Sequence, residues 1–254
     1  MEALPNGNEL ARASLRRSLS RAQAEAVQAA LAEHVRSSGL KLAEVRTVAG
    51  AACVDADDEV IAAAALLTFP ALELMEQATA RAEPGMGYVS GLRAFREGAV
   101  LVAAVENLGK RPDALFVRGH GLAHPRRCGL ASHVGLALGL PSIGCALRAL
   151  ASGAGRRSAG MLAHSPGCEG TRRTMGSALS FGEPGDCAPL VDEHGQHVGA
   201  SVVTRPGSRP LLVSVGHMID LGTAVALTLA CCRGHVMPEP LGMATMAARR
   251  AAGT

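Results

Sequence analysis

Residues 113–145 read DALFVRGHGLAHPRRCGLASHVGLALGLPSIGC, and this stretch decides the fold. Its first apolar run, residues 114–117, is long enough for a buried strand and too short for a helix. A polar loop follows, and apolar residues then recur at steps of four from Leu130 to Leu138, which predicts a helix. A second short apolar run ends at Cys145. This order predicts a parallel crossover with its functional side chains in the loop after the first strand.

The loop after the first strand is rich in groups that bind anions or transfer protons. Gly119 and Gly121 have no side chain, so the backbone there can turn sharply or approach a ligand closely. Around them lie two histidines and two arginines, His120, His124, Arg126 and Arg127. This density favours a binding or catalytic loop over a solvated connection.

Composition places the chain among globular proteins. Its 254 residues, 48% of them hydrophobic, are enough for one domain over residues 1–254. The net charge of +3 is too small to indicate nucleic-acid binding, and one Tyr, four Phe and no Trp leave little material for base stacking. The seven cysteines have no metal-binding spacing, which predicts free thiols in the cytoplasm. The apolar runs are too short to span a bilayer, so no membrane partner is expected.

The rest of the chain predicts a mixed sheet. Before the crossover we expect one helix over about residues 11–37, antiparallel strands at 45–54, 60–68 and 72–80, and a helix at 92–108. Residues 1–8 are expected to fray. After the crossover we expect a mobile segment at 151–170, strands near 178–181, 198–203 and 211–215, a helix at 220–232 and a closing tail with Pro238 and Pro240.

The polar loop resembles the signature of endonuclease V, a metal-dependent nuclease family that nicks nucleic acid near deaminated adenine. Residues 118–133 read RGHGLAHPRRCGLASH, against a family pattern of roughly D-G-H-G-x-A-H-P-R-R-x-G-x-A-S-H. Further matches are the first-strand segment 48–53, the wedge loop 87–91, the F-R-E at 95–97 and the S-x-G-H at 214–217. The resemblance covers about residues 15–244. It implies an α/β, ribonuclease H-like fold of the endonuclease V type, with a mixed central sheet flanked by helices.

The departures from the family pattern fall on the metal ligands. Ala52 and Arg118 stand at two of the three carboxylate positions, and only Glu97 remains. Mg²⁺ needs oxygen ligands, whereas alanine supplies none and arginine brings a positive charge. We therefore expect no metal and no other cofactor. Asp55 is no replacement, because it lies three residues beyond Ala52 and faces the other side of a regular strand unless a bulge intervenes.

The retained polar groups form the predicted site. The predicted catalytic residues are Glu97, His120, His124, His217 and Cys53. The predicted substrate-binding residues are Arg118, Arg126, Tyr88, Gly119 and Gly121. Each of them taken alone is also compatible with an ordinary loop or core position. We expect Glu97 and Arg118 to form an ion pair or to share the anionic group of a ligand, because both face the place of the missing cation.

Three functions remain open. The first is a metal-independent acid/base enzyme that acts on a small, anionic or nucleoside-like molecule. The second is a non-catalytic protein that binds nucleic acid or a partner. The third is an active endonuclease V that cleaves nucleic acid containing deoxyinosine or inosine. The missing carboxylates, the wedge without prolines and the scarce aromatics favour a small-molecule partner and disfavour nucleic acid.

Overall fold

A computed structural model describes residues 6–150, 156–157, 182–192 and 194–254. The helices are α1 (Gly7–Leu15), α2 (Arg21–Ala32), α3 (Arg93–Glu106), α4 (Leu130–Leu138), α5 (Leu221–Ala230) and α6 (Glu239–Ala251). The strands are β1 (Thr47–Ala56), β2 (Glu59–Thr68), β3 (Leu74–Ala82), β4 (Ala114–Arg118), β5 (Ser142–Ala146), β6 (Arg156–Arg157), β7 (Cys187–Val191), β8 (His197–Val202) and β9 (Leu211–His217). The mobile segment expected at 151–170 and the strand expected at 178–181 lie outside the described residues, apart from β6.

One mixed sheet organises the molecule. Its strand order, over the described ranges, is β3, β2, β1, β4, β5, β9, β8, β7, β6. The first three strands in sequence pair antiparallel, β4 lies parallel to both β1 and β5, and β9 returns antiparallel to β5. The parallel crossover through α4 and the mixed α/β sheet flanked by helices are therefore confirmed.

Helices cover both faces of the sheet. On one face, Ala49 and Val117 belong to the apolar cluster that α1, α3 and α4 complete. On the other face, Ala52 and Phe116 pack in the cluster that includes α5 and α6. Because strand side chains alternate between faces, this assignment fixes the direction of each residue near the strand ends. At Gly50 a Cβ would overlap the backbone of α6, so the missing side chain lets that helix approach β1 closely.

The amino-terminal part differs from the single long helix expected at 11–37. Asn6 accepts a hydrogen bond from the backbone N–H of Glu9, and Ser20 accepts one from that of Gln23, each within a capping box. These caps start α1 and α2 separately and satisfy backbone donors that a continuous helix would satisfy internally. Residues 6–8 are therefore ordered parts of α1 and its cap, and the prediction that they fray is wrong.

The carboxyl-terminal tail forms α6, a helix that was not predicted. Pro240 lies in the first turn of this helix, where a proline removes no hydrogen bond. Leu241 and Ala244 are completely buried against the sheet. The sequence analysis assigned no element to this tail, whereas burial of one apolar side stabilises a helix here.

Two sequence expectations concern membranes and thiols. Within the described residues, no helix has both the length and the apolar character needed to cross a membrane. The free thiols expected are present at five described positions, Cys53, Cys128, Cys145, Cys231 and Cys232. Cys187 is disulfide-bonded, so the expectation is wrong for that residue. The cytoplasmic location stays a prediction.

Candidate functional site

The carboxyl ends of β1 and β4 form the floor of the candidate site. Ala51 pairs in register with Val117, so Ala52 and Arg118 follow on adjacent parallel strands. Both project to the face that carries Phe116, because side chains alternate along each strand. Ala52 is 1% exposed, and Arg118 is half-buried at the strand end. The Arg118 side chain makes no hydrogen bond or ion pair with the residues that the structure describes, so its positive charge is available there.

Arg93 holds the carboxylate of Glu97 on α3 and also contacts the end of β4. The Nε atom of Arg93 lies 2.9 Å from Oε1 of Glu97, and Nη2 lies 2.6 Å from Oε2. This is a fork-like pair across one turn of α3, and the Glu97 residue is only 7% exposed. Nη1 of Arg93 donates to the carbonyl oxygen of Arg118 at 3.3 Å, which fixes α3 against the end of β4.

The expected ion pair between Glu97 and Arg118 therefore does not form, and a ligand shared by the two side chains stays a prediction. Both oxygens of Glu97 already accept hydrogen bonds from Arg93, which lies four residues earlier on the same helix. Residues four apart on a helix are neighbours, so the pair forms without any long-range requirement. Sequence reasoning missed Arg93, although its spacing from Glu97 inside a predicted helix was the signal that pointed to it.

Cys53 lies beside Ala52 on β1 but faces the opposite side of the sheet. It packs against the cluster that includes α3 and α4. Burial raises the pKa of the Cys53 thiol well above its ordinary value, and the negative charge of Glu97 adds to this effect. The thiol is therefore protonated at neutral pH and is a poor nucleophile. The positive charge of Arg93 opposes this rise in pKa only in part, and the predicted catalytic role of Cys53 stays a prediction.

Asp55, further along β1, faces the side opposite Ala52, as expected. The register of β1 with β2 runs without a bulge from Thr47 to Ala56. Oδ1 of Asp55 accepts a hydrogen bond from Nη2 of Arg96 at 2.6 Å. This carboxylate therefore does not replace the one missing at Ala52.

Gly91 and Gln28 connect the wedge loop to the polar loop. The carbonyl oxygen of Gly91 accepts hydrogen bonds from Nε2 of His124 at 2.9 Å and from Nε2 of Gln28 at 3.0 Å. Gln28, which is 1% exposed, also donates to the carbonyl of Cys128 and accepts from Nε of Arg126 at 2.8 Å. Gln28 thus joins α2 to both loops, and no short-range sequence signal indicates this role.

His124 and Arg126 are held in these contacts. Nδ1 of His124 accepts a hydrogen bond from the backbone N–H of Arg126 while Nε2 donates to Gly91, so both ring nitrogens are engaged. Burial lowers the pKa of His124 to about 4. Arg126 contacts Gln28 and lies 3.7 Å from Glu25. Both side chains position loops in this state, and their predicted roles toward a substrate remain predictions.

His120 lines a small cavity of about 20 Å³, which Arg93 also lines. Gly91, Gly119 and His124 line the same cavity. Nε2 of His120 donates to the carbonyl oxygen of Arg148 at 2.9 Å. Burial lowers the pKa of His120, so the imidazole is neutral at pH 7. The cavity is thus lined by neutral imidazoles and one guanidinium.

His217 lies away from this group, contrary to the expected convergence. It pairs in register with Ser142 at the start of β5, whereas Arg118 pairs with Cys145 near the end of that strand. Its Nδ1 accepts a hydrogen bond from the backbone N–H of Arg36 at 3.2 Å. Because β9 runs antiparallel to β5, its carboxyl end lies at the edge of the sheet opposite the carboxyl ends of β4 and β5. The structure therefore does not bring His217 to Glu97.

Gly121 and Tyr88 occupy contrasting positions. A Cβ at Gly121 would collide with the carbonyl oxygen of Val215, and the N–H of Gly121 donates to Oγ of Ser214 at 2.8 Å. Glycine here therefore lets the polar loop cross β9 closely. Tyr88, in contrast, is 72% exposed in the wedge loop, so its ring can contact a ligand.

The residues at this site do not fit a divalent cation. Ala52 offers no donor atom, Arg118 carries a positive charge, and Arg93 engages both oxygens of Glu97. Within the described ranges, no three His, Cys, Asp or Glu side chains are grouped to hold a metal. Hard cations such as Mg²⁺ require several oxygen ligands.

Comparison with known proteins identifies the family. The family model for Endonuclease V matches residues 29–246. The chain belongs to the Endonuclease V family. It is 40% identical over 195 residues to the Endonuclease V of Roseiflexus sp. (strain RS-1), a match that covers 77% of each chain.

Solved structures of Endonuclease V share the fold. The Streptomyces avermitilis protein superposes with a TM-score of 0.76 and 34% identity over 92% of this chain and 93% of that one. A Ciona intestinalis Endonuclease V, in complex with a 24mer DNA containing an inosine followed by a ribo-adenosine, superposes with a TM-score of 0.71 and 22% identity over 91% and 97%. The ribonuclease H-like type of fold is therefore confirmed.

Family membership corrects the expected partner. A small-molecule substrate was expected and nucleic acid disfavoured, but the matched relatives are named endonucleases and the Ciona protein was crystallised with DNA. That expectation is wrong, because it weighed the missing carboxylates and scarce aromatics above the retained loops. The main hypothesis of a repurposed, metal-independent enzyme is not supported. The alternative of an active Endonuclease V fits the relatives at least as well.

Proposed function

We propose that the chain is a nucleic-acid-binding protein of the Endonuclease V family that recognises strands containing deaminated adenine. Support comes from the family match over residues 29–246, which includes the wedge loop and the polar loop. The observation that carries the proposal is the retention of this loop pair, joined through Gly91 and Gln28. The loops lie around a strand end at which Arg118 carries a positive charge that no described residue pairs. Guanidinium groups bind the phosphate backbone.

Binding of labelled oligonucleotides tests this function. One single-stranded probe carries a single deoxyinosine, and its matched control carries deoxyadenosine at the same place. We expect saturable binding by fluorescence anisotropy that weakens with salt and is tighter for the deoxyinosine probe. Absence of saturable binding to either probe at low salt would contradict the proposal.

Strand cleavage is a second candidate function. Identity of 40% to a protein named Endonuclease V favours it, as does the retained Glu97. Two observations oppose strand cleavage. Arg93 engages both carboxylate oxygens of Glu97, and positions 52 and 118 carry no carboxylate. Incubation of the deoxyinosine probe with Mg²⁺ or Mn²⁺ decides between them. A nicked product that requires the metal and disappears in Glu97→Gln would establish cleavage, whereas an intact probe leaves binding as the function.

A further inference from the structure

The charge at the end of β1 and β4 differs in sign from that of a metal-binding cluster. Arg93 neutralises Glu97 in a fork-like contact of 2.9 and 2.6 Å, so the pair carries no net charge. Ala52 adds none. Arg118 adds one positive charge that no described residue neutralises.

The neighbouring groups leave this positive charge uncompensated. His120 and His124 are neutral at pH 7, since burial lowers the pKa of each. The Cys53 thiol is protonated because burial raises its pKa. Asp55, the carboxylate on β1, faces the side of the sheet opposite Ala52 and forms an ion pair with Arg96 at 2.6 Å. The described part of the site therefore carries a net charge of about +1.

A site with this charge attracts an anion and repels a divalent cation. Arg118 is half-buried as a residue, so its charge is less screened than that of a fully exposed side chain. Its planar donors match two oxygens of a phosphate. The carbonyl oxygen of Arg118 accepts from Arg93 at 3.3 Å, which holds the end of β4 in place without using the Arg118 side chain.

We infer that Arg118 binds a backbone phosphate of nucleic acid directly, in place of contact through a divalent cation. Arg93 supports this site by neutralising Glu97, which would otherwise repel the phosphate. This inference rests on the proposed function and specifies how its cleft holds the strand. Binding of the nucleic acid is accordingly independent of divalent cations.

The test measures anisotropy of the deoxyinosine probe in EDTA and in Mg²⁺ at matched ionic strength. We expect equal affinity in both. One phosphate contact to a single strand contributes about 0.7 to the slope of log affinity against log salt concentration, so Arg118→Ala should lower the slope by about that amount. Arg118→Lys should retain most of it, because the charge remains.

Arg111→Ala is the matched control. Arg111 is exposed before the opposite end of β4, where it donates to the carbonyl oxygen of Gly139 at 2.6 Å. Its loss should leave the salt slope unchanged. Binding that appears only with Mg²⁺, or an unchanged slope in Arg118→Ala, overturns the inference while the proposed function stands. No binding under either condition overturns the proposed function itself.

Discussion

At the scale of single residues, Arg93 decides the chemistry of the site. Its guanidinium engages both oxygens of Glu97, and its remaining nitrogen contacts the backbone of Arg118. A carboxylate that is 7% exposed is costly without a partner, and a guanidinium in a fork-like contact compensates it well. The retained glutamate is therefore a structural ion pair in this state.

Removing Arg93 should destabilise the protein. Arg93→Ala leaves the buried carboxylate of Glu97 unpaired, and we expect the free energy of unfolding to fall by about 3 kcal/mol in urea titrations. The control is Arg21→Ala, which breaks an ion pair of the same type and spacing. In that pair the side chain of Arg21 is 73% exposed and that of Glu25 is 33% exposed. Arg21→Ala should lower the free energy of unfolding by less than about 1 kcal/mol. An equal loss in the free energy of unfolding for both variants would contradict the claim that burial of Glu97 makes its ion pair important.

Restoring carboxylates should create a metal site only after Arg93 is removed. In Ala52→Asp with Arg118→Asp, Glu97 remains engaged by Arg93, so we expect little shift of Tm on addition of Mn²⁺. Adding Arg93→Ala frees Glu97 and places three carboxylates at the strand ends, and a saturable rise in Tm should follow. A saturable rise in the unmodified protein would show that a site already exists.

At the scale of elements, α2 holds the two loops of the cleft through one buried side chain. Gln28 contacts the carbonyl oxygens of Gly91 and Cys128 and the guanidinium of Arg126. Loops usually have low local stability, and such contacts lower the population of open states. The relative position of the wedge and polar loops thus depends on a helix that is distant in sequence.

Loss of Gln28 should loosen both loops. Gln28→Ala leaves buried carbonyls without donors, and we expect a loss of about 2 kcal/mol in stability together with faster amide exchange in residues 89–92 and 121–129. Gln23→Ala is the control, because Gln23 lies at the exposed start of the same helix and takes part only in its capping box. Unchanged exchange in the two loops of Gln28→Ala would refute the connection.

At the scale of the whole molecule, buried neutral histidines link stability to pH. Burial lowers the pKa values of His124, His133 and His217 to about 4 each. His133 is completely buried, with Nε2 near Oγ of Ser14 and the carbonyl of Ala11, and its Nδ1 has no hydrogen-bond partner among the described residues. In the unfolded chain these imidazoles titrate near pH 6.5.

Acid should therefore destabilise the fold between pH 6.5 and 4. The unfolded state binds protons in this range and the folded state does not, so stability is intact above pH 6.5 and falls as pH decreases. With three histidines the slope approaches about 4 kcal/mol per pH unit. Urea titrations at a series of pH values measure the slope of the free energy of unfolding against pH. His133→Gln should reduce this slope by the contribution of about one proton. A flat profile between pH 7 and 5 would contradict the burial of these rings.

The sequence by itself determined the elements and the composition of the site. Hydrophobic periodicity and turn residues located β1 to β5, because these signals act within a few residues. The motif around residues 118–133 identified the family, and Ala52 and Arg118 marked the lost carboxylates. Caps at Asn6 and Ser20 were readable locally but were not used, so one helix was expected where two form.

Only the tertiary structure decided which side chains meet. The partner of Glu97 depends on side-chain rotamers in the first turns of α3, and the position of His217 depends on the direction and register of β9. Gln28 reaches loops that are 63 and 100 residues away. Local patterns carry no information on such contacts, since packing of the whole sheet sets them. For this reason the chemistry expected from the retained residue types is, in three dimensions, a neutral ion pair beside a guanidinium that no described residue neutralises.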